Sequence, residues 1–179
     1  MNKRVEHLMN NIIMEITINN TKYECKIFNV HEILDLEKTN PKFIKNLETS
    51  IKTYKSDSKF QITDLIEETK TYRPDANVYL FVLHKKNTIV ATMRVYIYKR
   101  KIYINLVHTT EKYRGKGICQ ALTNFMIEYT RNKIKLYELE VLDTNIPAIK
   151  CYEKNGFVFI KKINYGSSIY NLMKLKLTE

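Results

Sequence analysis

The segment YRGKGIC, residues 113–119, carries the residue types from which an anion site is built. Gly115 and Gly117 let consecutive backbone N–H groups converge, and a helix opening directly after them adds unsatisfied donors and the positive end of its dipole. A pyrophosphate group fits such a site. The loop lacks the Lys-Ser/Thr ending of a nucleotide-hydrolysing phosphate loop and is too short for the dinucleotide fingerprint. Taken by itself, RGKG also reads as a flexible strand-to-helix turn with surface charges. About 30 residues further on, NIPAIKCYEKNGF (145–157) sets Asn145 at a helix start and Tyr152 one turn before that helix ends at Gly156. His108 closes the run KIYINLVH, and an imidazole with an ordinary pKa of about 6.5 suits proton abstraction at neutral pH. Glu138 and Glu140 in ELEVLDTN share one face of a strand.

The remaining reactive types imply little chemistry. Cys25, Cys119 and Cys151 are odd in number, widely spaced and without close histidines, so neither a disulfide framework nor a zinc site is expected, and no metal. No cysteine has a matched His and acid, so covalent catalysis through a thiol is not expected. His7, His31 and His84 have no partners apparent in the sequence and read as ordinary polar residues.

These groups need elements to position them. Residues 13–18 and 22–28 read as two strands around the turn formers Asn19 and Asn20. A short helix is expected near 31–38; Pro41 opens a second, in which Phe43, Leu47, Ile51 and Tyr54 recur at helical spacing, and Asp64 with Glu67 could cap another. The β-branched and aromatic runs 78–84, 88–98 and 101–108 predict an antiparallel meander with turns at 85–87 and 99–101. After the glycine loop, Ile118, Leu122, Phe125 and Tyr129 mark an amphipathic helix. A strand over 134–142 leads to a helix over 146–155 with Pro147 in its first turn, and strands over 157–164 and 168–177 close the chain. The order predicts an α/β domain of the α+β type with a largely antiparallel sheet.

With 179 residues, one domain over 1–179 is the expectation, since a single core can bury roughly 70% of a chain this size. Apolar residues make up 44%, and the 13 Tyr and 7 Phe exclude a disordered basic tail. No run approaches the roughly 18 apolar residues of a membrane span. The start MNKRVEHLMNNIIMEI has no apolar signal core, which points to a cytoplasmic or nuclear protein. The 30 basic against 19 acidic residues leave +11, a charge that suits an anionic ligand, nucleic acid or a merely solvated basic surface. Residues 31–76 hold 9 acidic and 8 basic side chains, or −1, so the remainder carries +12. Lys112, Arg114 and Lys116 bracket the glycine loop, whereas Lys161, Lys162, Lys174 and Lys176 read as solvated strand faces.

In YRGKGIC and NIPAIKCYEKNGF together, over about residues 22–177, the chain resembles the GNAT superfamily of N-acetyltransferases. Arg114, Gly117 and Cys119 occupy the positions of its acetyl-CoA signature, with Cys119 departing from the usual Gly or Ala, and YNLMKLKL resembles the last strand. The resemblance implies a mixed, mostly antiparallel sheet of about seven strands flanked by helices and splayed between 101–108 and 134–142. Acetyl-CoA would lie in that cleft, with no metal. Its pyrophosphate would meet the N–H groups of Gly115, Lys116, Gly117, Ile118, Cys119 and Gln120 beside Arg114. Its pantetheine arm would pair with the edge formed by Leu106, Val107 and His108, and Asn145 would face it from the other side.

The implied reaction is direct attack of a primary amine, on a protein N-terminus, a lysine or a small molecule, upon the thioester. A lysine amine requires about 4.6 kcal/mol for deprotonation at pH 7 and an α-amine about 1.4 kcal/mol, so a base serves lysine-like acceptors most. The leaving thiolate gains from an acid. Tyr152 stands where the family often carries that acid. Glu140, twelve residues earlier, resembles the catalytic Glu of ribosomal-protein N-terminal acetyltransferases, and His108 resembles a catalytic His of arylalkylamine N-acetyltransferases. Either could be the base. The competing reading is a non-catalytic basic module that binds nucleic acid or a partner on the same fold. Against it, no nucleic-acid motif occurs and the aromatics alternate as core strands. The expected partners are acetyl-CoA and an amine acceptor, with no membrane, on a monomer or homodimer.

Overall fold

The computed structural model describes residues 13–52 and 76–178. His7, Tyr54 and the expected cap at Asp64 and Glu67 lie outside them. Strands β1 (Ile13–Ile18) and β2 (Thr21–Asn29) form a hairpin through Asn19 and Asn20, both left-handed at φ 48° and 60°. This is the conformation that two-residue hairpin turns require and that Asn tolerates. Helix α1 (Val30–Thr39) starts in a capping box: Asn29 Oδ1 accepts from the Glu32 N–H at 2.9 Å, and Glu32 Oε2 accepts from the Asn29 N–H at 2.8 Å. Helix α2 (Pro41–Lys52) follows, its buried stripe set by Ile44 and Leu47 with Phe43 beside them.

The meander is formed by β3 (Asn77–Lys85), β4 (Thr88–Tyr98) and β5 (Lys101–Thr109). A single turn at Glu111–Tyr113 and the glycine loop lead into α3 (Ile118–Thr130), then β6 (Leu136–Leu142) and α4 (Ile146–Lys154), and β7 (Val158–Tyr165) with β8 (Ser168–Lys176) ends the fold. β6 begins two residues later than expected because the N–H groups of Lys133 and Ile134 still bond back to the Thr130 carbonyl.

The eight strands of the described residues join one sheet in the order β1-β2-β3-β4-β5-β6-β8-β7, one more than the resemblance implies, because β1 pairs along the outer edge of β2. Every neighbouring pair is antiparallel except β5 with β6. One face packs α3 and α4 over a core that includes Phe81, Met93, Ile102, Leu122, Met126 and Tyr137. The other face packs α1 and α2 over Phe28, Leu80, Val82 and Ile89. The β5–β6 junction thus lies in mid-sheet, with α3 and α4 arriving beside it from one face. No helix among the described residues is long and apolar enough to cross a membrane.

Candidate active site

β5 and β6 pair only from Lys101–Leu136 to Ile104–Leu139. Beyond that point both strands continue without register between them, and the sheet opens as a wedge. β5 is also irregular there: its register on β4 shifts between Thr92 and Arg94, so that Asn105 pairs with Arg94 and His108 with Thr92. Two residues, Leu106 and Val107, thereby oppose Met93, and Leu106 sits at φ 48°. A branched side chain in the left-handed region costs on the order of 1–3 kcal/mol, a strain that clusters at functional sites. The bulge sends Leu106 toward the α1–α2 layer and Val107 toward α3 and α4.

A cavity of about 640 Å³ occupies the open side of this wedge. Its rim is the glycine loop, where Gly115 and Gly117 hold φ 73° and 76°, and Gly117 begins α3 with no side-chain cap bond. The first N–H groups of α3 are thus left without a capping side chain, as an anion site requires. Arg114 lines the cavity, its Nε donating to the Thr109 carbonyl at 3.1 Å. Asn145 also lines it while capping α4, its Oδ1 accepting from the Ala148 N–H at 3.3 Å.

The expected residues converge here with three exceptions, Leu106, Lys116 and Glu140. Val107, His108, Arg114, Gly115, Gly117, Ile118, Cys119, Gln120, Asn145 and Tyr152 all face the cavity. Leu106 belongs to the opposite layer through the bulge, and Lys116 stands outside, its ammonium 5.5 Å from the Tyr113 ring centre. Lys112 lies over the same ring at 5.1 Å, so of the three cations around the loop only Arg114 lines the cavity. Lys150 and Lys154, one turn apart on α4, line it from the other side. Their i, i+4 spacing was the available signal, and sequence reasoning passed over it, as it did Thr109, Tyr113, Pro147 and Ala148.

Tyr152 is buried, its ring set edge-on to Phe157 at 6.0 Å between centres. His108 is only 4% exposed, and its pKa lies below the ordinary 6.5 because burial disfavours the imidazolium and the nearby Arg114 charge adds to that effect. At pH 7 the ring is therefore neutral and able to accept a proton.

Glu138 and Glu140 share a face as expected, opposite Lys174 and Leu172 of β8. Their environments differ. Glu138 is held by Lys101 and Lys174, each at 2.7 Å. Burial alone would raise its carboxyl, but the hydrogen bonds and charges of the two lysines outweigh that and hold it below the ordinary carboxylate range. Glu140 makes no ion pair among the described residues; it is half-buried and is the first β6 residue past the last β5 pair. It stands at the mouth of the wedge, outside the cavity lining.

Two expectations fail. Cys119 and Cys151 are bonded to each other as a disulfide, with their Cα atoms 6.4 Å apart. Their separation of 32 positions concealed this, because only the folded sheet brings the first turn of α3 beside α4. Cys25 is a free, buried thiol that burial pushes up to about 12. His84, expected to lack partners, has its Nδ1 3.0 Å from the Lys86 carbonyl and its Nε2 3.6 Å from Glu24, because β2 and β3 place residues 24 and 84 directly opposite. Among the described residues no cluster of His, Cys, Asp and Glu could hold a metal ion.

A mixed sheet wedged open beside an uncapped helix start, with an imidazole and a phenol in one cavity, makes a cleft suited to an anionic ligand. A family profile described as "Acetyltransferase (GNAT) family" matches residues 41–157, and the chain belongs to that family of acetyltransferase enzymes. No curated protein sequence matches the chain. Among solved structures it is similar to Ard1 from Thermoplasma volcanium, at 21% identity and a TM-score of 0.63 over 87% of this chain and 99% of that one. It is also similar to the ribosomal-protein-S18-alanine N-acetyltransferase from Escherichia coli, at 18% identity and a TM-score of 0.59 over 87% and 95%. A GNAT family acetyltransferase from Elizabethkingia anophelis with acetyl-CoA bound matches at 18% identity and a TM-score of 0.51 over 64% and 82%. At these identities the likeness is one of fold.

Proposed function

We propose that the chain transfers an acetyl group from acetyl-CoA to a primary amine within the β5–β6 wedge. The observation that carries this is the convergence, in one cavity, of the uncapped glycine loop with Tyr152 and His108. When bound, acetyl-CoA supplies the activated acyl carbon and a thiolate leaving group. The backbone N–H groups from Gly115 to Gln120 hold its pyrophosphate, with Arg114, Lys150 and Lys154 supplying positive charge around it. The β5 edge at Val107 and His108 holds the pantetheine arm, just past the bulge that shifts the register of β5 on β4. His108, neutral at pH 7, accepts a proton from the acceptor ammonium. As the amine nitrogen bonds to the acyl carbon and the carbon–sulfur bond breaks, the Tyr152 hydroxyl gives its proton to the departing sulfur, and the second proton that the nitrogen sheds in becoming an amide restores that hydroxyl.

Glu140 is the second candidate base. Its position at the wedge mouth supports a role toward the acceptor, either in binding its cationic form or in drawing off the proton through water. The acceptor is a primary amine on a protein N-terminus, a lysine or a small molecule.

The proposal is tested by thermal melting with acetyl-CoA and, separately, with single-stranded RNA and duplex DNA at physiological salt. A rise in melting temperature with acetyl-CoA alone supports it. A rise with nucleic acid and none with acetyl-CoA assigns the fold to a basic binding module instead.

A further inference from the structure

A Cβ built on Gly115 or Gly117 meets nothing within 4 Å, so these glycines answer a conformational need and not a close approach. Both flank the Lys116 peptide units in left-handed geometry. Glycine on either side of a residue lets its peptide planes rotate at little cost, which would scatter the N–H groups on which an anion depends. The Lys116 carbonyl is nevertheless held: Asn19 Nδ2 donates to it at 3.2 Å from a position 97 residues earlier, on the β1–β2 turn.

We propose that Asn19 is a positioning residue for the phosphate loop. The carbonyl and the N–H of a trans peptide point in opposite directions. Fixing the Lys116 C=O toward Asn19 therefore turns the Gly117 N–H the other way, toward the cavity that Gly117 lines. The strut is itself anchored. Asn19 and Asn20 form the tight turn of a paired hairpin, the strands meet at Ile18 and Thr21, and Ile18 is buried in the main core. The hairpin at the far edge of the sheet thus sets the aim of a loop on the cofactor side. This deepens the acetyl-CoA reading and rests on it.

The test uses the full chain with Asn19→Gly, which keeps the left-handed turn and removes the amide, Asn19→Asp, which keeps side-chain shape but replaces the donor with an acceptor, and Asn20→Gly as a control in the same turn. Coenzyme A affinity is measured by calorimetry, and turnover is measured on acetyl-CoA and on S-acetylpantetheine, which lacks the pyrophosphate. Loss of one neutral hydrogen bond corresponds to about a 3- to 10-fold effect. Asn19→Gly is expected to weaken coenzyme A binding and raise KM for acetyl-CoA by that factor, with kcat and the reaction of S-acetylpantetheine unchanged. Asn19→Asp weakens binding at least as much, and Asn20→Gly binds as wild type. Wild-type affinity in both Asn19 variants overturns the inference, as does equal weakening toward S-acetylpantetheine or in Asn20→Gly. If the wild-type chain itself fails to bind coenzyme A, the acetyl-CoA reading falls first and the inference with it.

Discussion

The two ends of the β5–β6 junction use the same backbone for opposite purposes. At the closed end the strands are paired from Lys101–Leu136 to Ile104–Leu139, and Glu138 is bonded to a lysine on each neighbouring strand. At the open end the pairing stops, β5 bulges at Leu106, and His108 and Tyr152 face a cavity. Two residues along one strand face thus separate a carboxylate that joins three strands from one, Glu140, that stands at the opening. The tyrosines make the same contrast. The Tyr137 hydroxyl at the closed end is 2.9 Å from the Thr130 hydroxyl within the core, whereas Tyr152, also buried, lines the cavity. Residue type alone therefore does not set these groups apart; their position relative to the last strand pair does.

The largest expected effect breaks the open end chemically. Tyr152→Phe should lower turnover by about 100-fold or more while coenzyme A affinity stays within about twofold, as loss of a general acid predicts. Turnover equal to wild type would make Tyr152 a core residue of the Tyr137 kind. Next is His108→Gln. As the proposed base, His108 works in its neutral form, and its pKa lies below 6.5, so the wild-type rate should rise with pH through that lowered value and level off above it. In the variant that acid limb should vanish and the plateau fall by about 10- to 100-fold, whereas Glu140→Gln should keep the limb. The reverse pattern would transfer the role of base to Glu140.

The two ends also differ in what holds them together. The Cys119–Cys151 bond ties α3 to α4 at the open end, and closing a chain segment of 32 residues stabilises a fold by about 3–4 kcal/mol in the chain-entropy account. Urea unfolding with and without a thiol reductant should show a loss of that size, absent in Cys119→Ser. At the closed end, Glu138→Gln should cost about 1–2 kcal/mol, because its lysine partners are only partly buried. Its effect on turnover should stay within about twofold. The wild-type carboxyl is held below its ordinary 4.5, so the folded state binds that proton less readily than the unfolded chain. Its stabilisation is thus complete above pH 4.5 and is lost as pH falls through the lowered value. Glu138→Gln should remove that segment of the pH–stability curve, and an unchanged curve would deny the clamp.

What could be read from the residues was local. The strands announce themselves in β-branched and aromatic runs, α3 in its apolar spacing, and the glycine loop and Tyr152 in short contiguous segments. The capping box of α1 was equally local, since Asn29 precedes Glu32 by three residues, yet it passed unread. The features that escaped depend on distant segments meeting. Cys119 meets Cys151 only once α3 and α4 share a sheet face, His84 meets Glu24 only across the β2–β3 ladder, and Asn19 meets Lys116 only because the first hairpin reaches the loop. The bulge at Leu106 escaped for a different reason, because a leucine in the left-handed region contradicts its own propensity and is imposed by tertiary context.

On the proposed function, the open end is where an acyl group changes hands. The most direct measurement follows release of the coenzyme A thiol from acetyl-CoA in the presence of a panel of amines: peptides with free N-termini, N-acetylated lysine peptides, polyamines and amino sugars. The account predicts thiol release that saturates in acetyl-CoA, depends on at least one class of amine, and yields that amine in acetylated form. Tight binding of acetyl-CoA with no thiol release from any amine would contradict it.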